Sequence, residues 1–340
     1  MTRTSASSSQ ATKALALVES LQTRFVQGLE NISGENFQGS EWFRDAGTHG
    51  GGERFGLQDN PVLGRASVNV SQVHYDDEAE RKLGSASAIS TIVHPVHPRW
   101  PSVHIHVSWT EMKSGAGYWR IMADLNPAIP NEKDKTKFAG ALKAVAPVVY
   151  DEAAEQGDRY FYIPVLGRHR GVTHFYLESF NTGNFAADHD LAQAVGEAAI
   201  DTYLQLLEKA ARENFQSLES DRAAQLAYHT LYFFQVLTLD RGTTTGLMVH
   251  DQNDVGILGS LPPQVDKNLL QSWISRMPEP QDRLLEKLVG ALPNTGICTV
   301  DDAVKIKLCK AVRTHYQQYP EALDFQASGN STPPTVDNHR

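Results

Sequence analysis

Histidine is the side chain best suited to moving protons near neutral pH or to ligating a metal, and four of them fall between residues 94 and 106, in HPVHPRWPSVHIH. Successive side chains of an extended strand point to opposite faces. In VHIHVSW that places Val103, Ile105, Val107 and Trp109 on one face, and His104, His106 and Ser108 on the other. The apolar face suits packing against helices, and the polar face suits the wall of a cavity. A histidine there offers general acid–base chemistry. His94 and His104, with His106, also offer imidazoles of the kind that hold iron, copper or manganese. Any one of these histidines could instead be a satisfied structural residue.

A second strand follows. In YWRIMADL, Tyr118, Arg120, Met122 and Asp124 share a face. Asp124 lies in ADLNP, where the strand gives way to a turn, so its carboxylate can reach a pocket or cap that turn. KSGAG between the two strands reads as a hairpin loop.

The elements around this hairpin read as follows. Residues 12–30 carry apolar positions at helical spacing, an amphipathic helix. The Gly-rich THGGGERFGLQDNPVLG is too irregular for a regular element. SVNVSQVHY, SAISTIVH, VHIHVSWTE and YWRIMADL read as strands, as do DRYFYIPV and VTHFYLESF. Helical patterning covers 131–146 and a long region from about 186 to 229. LYFFQVLTLD and NDVGILGS read as strands flanking a turn at RGTTTG, and helices return near 280–292 and 301–318. Hairpin-linked strands with segregated helices indicate an α+β fold, a large antiparallel β-sheet flanked on both faces by helices. The expected organisation is a single domain over 11–320, with disordered tails at 1–10 and 321–340.

Composition narrows the function. With 31 Lys+Arg against 40 Asp+Glu, the net charge is −9, which disfavours nucleic-acid binding. No apolar run reaches the ~18 residues of a membrane span. Two cysteines give neither a disulfide framework nor a zinc spacing, so a reducing, cytoplasmic setting is the simplest reading. The Ser/Thr-rich start, MTRTSASSSQATK, is a faint echo of a transit peptide. No G-x-G-x-x-G, P-loop or G-x-S-x-G motif is present.

EWFRDAGTHGGG, ASVNVSQVH, STIVHPVHPRWPSVH, YWRIMADLNP, YFYIP with RGVTHFYLESF, LDRGTTTGL and ILGSLPP follow one another in the order and near the spacing of one family. The chain resembles oxygen-dependent coproporphyrinogen oxidase over nearly all its folded length. The resemblance implies a homodimer and a tetrapyrrole-binding cleft. It also implies oxidative decarboxylation of two propionates to vinyl groups, with O₂ as co-substrate and no organic cofactor. Apolar stretches such as ILGSLPP would suit a two-fold interface. By position, His104 matches the family's general acid/base and Asp124 the carboxylate that meets the pyrrole N–H groups. Ser90 and Asn69 match substrate contacts, and Arg170 matches an arginine near the acid side chains.

The departures are also specific. His106 and Ser108 stand where the family has Asn and Arg. Arg120, Ile121 and Met122 replace three glycines. Ala139 and Val165 stand for histidines, and Asn253 for an arginine. Arg120, Arg168, His169 and His174 are candidate replacements, with His106, Arg120 and His169 as substrate contacts. Two other readings stay open: a paralogue oxidising a different acid-bearing, electron-rich substrate, with or without a His-bound metal, and a silent tetrapyrrole binder.

Overall fold

The alternation that runs from residue 64 to 126 builds the centre of a seven-stranded, wholly antiparallel sheet in the computed structural model, which describes residues 2–213, 215–331 and 335–338. Its strands are β1 (Gln38–Phe43), β2 (Gly50–Asn60), β3 (Gly64–His74), β4 (Leu83–His94), β5 (Ser102–Met112) and β6 (Gly117–Asn126), with β9 (Thr173–Phe180) as the last neighbour of β6. Between β6 and β9 come α2 (Glu132–Val145), α3 (Tyr150–Phe161) and a two-residue hairpin, β7 (Tyr162–Ile163) with β8 (Arg168–His169).

One sheet face is apolar. Val103, Ile105, Val107, Trp109, Ile121 and Leu177 are buried there against α1 (Ser9–Ser33) and α4 (Phe185–Arg212). The other face lies under α5 (Glu219–Thr238), α6 (Arg241–Val249) and α7 (Asp254–Ile257). A second core joins α5 to α8 (Lys267–Trp273), α9 (Gln281–Ala291) and α10 (Asp302–Gln318). Register sets out the polar face in rows across the strands. Ile92, His104, Asp124 and His174 are paired in one row. Asn69, Ser90, His106, Met122 and Tyr176 form the next, and Ala88, Ser108 and Arg120 the third.

Several local expectations are corrected. The Gly-rich stretch hides strand β2, where Gly51 at φ 150° runs so close to β1 that a Cβ would stand 2.2 Å from the Trp42 carbonyl. Of DRYFYIPV, only Tyr162–Ile163 is strand (β7); the first four residues end α3, whose buried Ala153, Gly157, Tyr160 and Phe161 recur at helical spacing. In LYFFQVLTLD, the LYFFQVLT part is the buried half of α5, where a nearly continuous apolar stretch hides the period. RGTTTG forms α6, capped by Asp240, and NDVGILGS forms short helical turns. The long region 186–229 is two helices, broken between Arg212 and Glu219.

The tails are docked where they are described. Thr4 bonds Gly47 and His74, Ala6 is buried, and α1 starts at Ser9 under a Ser8 cap. Residues 327–331 lie against β9, and α11 (Thr335–Asn338) packs on α6. Residues 1, 332–334 and 339–340 of the expected tails lie outside the described residues. Leu258 and Leu261 of ILGSLPP are fully buried within this chain, so they are not free to face a partner.

Candidate active site

Strand β5 presents His104 to a cavity of about 190 Å³ between the polar sheet face and the α5–α6 roof. Directly across the ladder, Asp124 holds the ring, with Oδ1 2.8 Å from His104 Nδ1. A carboxylate only accepts, so Nδ1 carries the proton and Nε2 is the basic nitrogen on the cavity side. Asp124 itself has no exposed surface. Its other oxygen accepts from Arg170 Nη2 at 2.9 Å and from Asn126 Nδ2 at 2.5 Å. Burial alone would raise the Asp124 carboxyl. The Arg170 guanidinium, His104 and Asn126 outweigh it and hold the group below the usual carboxylate range.

The second row adds Asn69, Ser90, His106 and Met122 to the floor. His106 bonds Ser108 Oγ at 3.0 Å through Nε2, and burial, then the charge of Arg120, lowers its pKa well below the ordinary value. The ring is neutral. Asn69 Oδ1 is buried without a hydrogen-bond partner among the described residues.

Arg120 is a built feature. Its Nε donates to Tyr176 Oη at 2.9 Å and its Nη2 to Tyr160 Oη at 2.8 Å, both rings lying under the guanidinium. The Tyr160 hydroxyl donates onward to Asp240 at 2.6 Å, and the Tyr176 hydroxyl to Glu178 at 2.8 Å. Burial would raise the Asp240 carboxyl, but Arg120, Tyr160 and the Thr243 amide bring it to about 2. Nη1 lies beneath α6, where a Cβ on Gly242 would stand 3.0 Å from it.

Most of the residues singled out in the sequence converge here: His104, His106, Ser90, Asn69, Arg120 and Arg170 all line the cavity. Asp124 does not. It stands behind His104, bonded to that ring and without exposed surface. Arg170 is only 1% exposed and spends Nη2 on Asp124, while its guanidinium stacks on Phe161 and Tyr232. Its Nε and Nη1 have no hydrogen-bond partner among the described residues.

His169 is misplaced as a contact. It is exposed on the β7–β8 hairpin, packed on Tyr162 and His174, away from the cavity. His174 is held by Asp158 and the Arg170 carbonyl. His94, offered with His104 as a metal ligand, commits Nδ1 to Ser102 and Nε2 to the Ser260 carbonyl. Among the described residues no three His, Cys, Asp or Glu gather as a metal set. Tyr160, Tyr176, Tyr232, Gln235 and Asp240 were not anticipated. Read at helical spacing, positions 232, 235, 236 and 240 would have exposed one face of α5 and its end.

The family model of coproporphyrinogen III oxidase matches residues 13–288.

Proposed function

The chain belongs to the coproporphyrinogen III oxidase family, and from that premise we propose that it carries out O₂-dependent oxidative decarboxylation of an acid side chain on an electron-rich, pyrrole-type ring. The family's own case is conversion of coproporphyrinogen III propionates to vinyl groups in porphyrin synthesis. The observation that carries the reading is the His104–Asp124 pair, with the basic Nε2 aimed into the cavity. Each propionate loses CO₂, one proton and two electrons, and O₂ takes up the electrons. A reduced pyrrole is electron-rich enough to supply them, so no organic cofactor is required. His104 takes the proton and Asp124 steadies the resulting imidazolium, help worth ~10²–10⁴-fold in rate.

A second reading is favoured by one feature. Arg120 and Met122 place side chains on the cavity floor, while Ile121 points into the opposite core. The remaining 190 Å³ is below the ~300 Å³ at which pockets for drug-sized ligands begin. A smaller acid-bearing pyrrole or similar ring would fit it without rearrangement. We also propose a homodimer, on the family resemblance alone.

The test is aerobic turnover of coproporphyrinogen III, read by fluorescence of the oxidised product, beside O₂ uptake with smaller pyrrole acids. Turnover of the tetrapyrrole at ordinary metabolic rates supports the first reading, and turnover of a small acid only supports the second. No O₂ uptake with any of them overturns both. Light scattering that returns a mass near 37.5 kDa would refute the dimer.

A further inference from the structure

We propose that Arg120 is a specificity-determining anchor for a second acid group of the substrate, held at the far end of the cavity from the group that reacts at His104. The proposal rests on the reading of this cavity as the substrate site and specifies the substrate class: a molecule with at least two carboxylates.

Three observations carry it. First, the guanidinium is pre-positioned. Two of its nitrogens are fixed by phenol oxygens whose own protons go to Asp240 and Glu178. Second, its charge has no direct partner. Arg120 makes no ion pair among the described residues, and no hydrogen bond is made by Nη1, which faces the cavity. An arginine held this way offers a carboxylate a charge-assisted bond without losing side-chain freedom on binding. Third, the spacing suits two groups rather than one. The backbone at Ser108, the ladder partner of Arg120, lies four residues along β5 from His104, or about 13 Å at ~3.3 Å per residue, and the guanidinium reaches from there toward Tyr176. Arg120 also borders a neighbouring cavity of about 180 Å³, floored by Ser108 and Thr110 and reached past His106, so the anchored end has room to extend.

The experiment is equilibrium binding by calorimetry, with two probes: coproporphyrin III as its free acid and as its tetramethyl ester. Porphobilinogen, a monopyrrole with two acid groups, serves as the small dicarboxylate. Wild type is expected to bind at least one of the acids, and the macrocyclic acid at least tenfold tighter than its ester wherever the macrocycle binds. Arg120→Gln should lose tenfold or more for the acid and little for the ester, and Arg120→Lys should recover part of the difference. A merely structural role would weaken acid and ester alike. Should Arg120→Gln fail to fold, Tyr160→Phe removes one support of the guanidinium, and a several-fold fall in acid binding is expected. Acid binding unchanged in these variants, or wild type that binds neither acid, overturns the anchor. Acid binding that falls in Arg120→Gln while wild type shows no O₂ uptake leaves the anchor standing and sinks the decarboxylation instead.

Discussion

Asp124 and Glu178 are both buried carboxylates on the polar side of one sheet, each paired to a buried arginine, and they serve opposite ends. Asp124 accepts from Arg170, Asn126 and His104, so its chain of bonds ends in an imidazole nitrogen that meets a cavity. Glu178 accepts from Arg241 and Tyr176 on one oxygen and from the amides of Gly329, Asn330 and Ser331 on the other. The second oxygen thus ends in the protein's own backbone, while Tyr176 ties the first to Arg120. Burial would raise the Glu178 carboxyl, but the Asn330 and Ser331 amides, then Arg241, outweigh it. Nearly the same electrostatics thus gives a chemical group in one place and a latch for the C-terminal segment in the other. The difference is whether the last donor is spent.

The comparison breaks most visibly on activity. His104→Ala should reduce turnover by ~10²–10⁴-fold and leave the fold intact, because the apolar packing of β5 lies on its opposite face. Asp124→Ala should lose as much activity, but it also strands Arg170 as a buried, unpaired charge, at about 3–5 kcal/mol of stability. The measurements are kcat on soluble variants and thermal midpoints. Wild-type turnover in His104→Ala would remove that ring from the mechanism.

Glu178→Ala is the counterpart. It leaves Arg241 and three amides without their acceptor, again about 3–5 kcal/mol, and should free the C-terminal segment to limited proteolysis. Turnover of the folded fraction is expected within several-fold of wild type. A thousand-fold loss there would mean that the latch belongs to the active site.

Titration separates the two networks further, since histidines crowd the Asp124 side while, among the described residues, no histidine bonds Glu178. His94 and His229 are buried and neutral, and His106, half-buried on the cavity floor, is neutral as well. Burial is the main cause in each, and it brings His229 to about 3. Their folded pKa values lie below the unfolded ~6.5, so the unfolded chain takes up protons first as the pH falls. Their contribution is complete above pH ~6.5 and is lost as the pH drops toward the folded values, at about 1.4 kcal/mol per unit. The thermal midpoint should hold from pH 8 to 7 and then decline steadily below 6.5. A flat profile down to pH 5 would show that these rings are hydrated in solution.

The legible parts of the molecule are those where a period survives. Two-residue alternation placed Val103, Ile105, Val107 and Trp109 against helices and His104 and His106 on the cavity side. It also set Arg120 and Asp124 on one face. What stayed hidden has a physical reason in each case. The glycines of β2 suppress alternation because they permit close strand approach. The run 231–237 is apolar but for Gln235 because α5 is buried between two layers, which concealed Tyr232, Gln235 and the Asp240 cap beyond it. His169 and Arg170 are adjacent in sequence, yet one is exposed on the β7–β8 hairpin and the other is buried at the cavity wall against Asp124. Spacing alone cannot reveal that.

The smallest expected effect concerns Ser108. Restoring an arginine there looks like the direct way to recover a propionate clamp, yet Ser108 is the ladder partner of Arg120. Side chains of directly opposed residues stand about 4.5–5.5 Å apart at Cβ, and like charges so placed are destabilising by roughly 0.2–1 kcal/mol. Ser108→Arg in the wild-type background should therefore change kcat/KM for coproporphyrinogen III by less than about threefold, the added attraction for substrate offset by repulsion from Arg120. In an Arg120→Gly background the repulsion disappears and the floor opens. The same Ser108→Arg change should then raise kcat/KM by tenfold or more, if a propionate is what it meets, since a tenfold gain needs only about 1.4 kcal/mol. Equal responses in the two backgrounds would mean that positions 108 and 120 do not share a ligand group. The charge on Arg120 would then serve only its tyrosines.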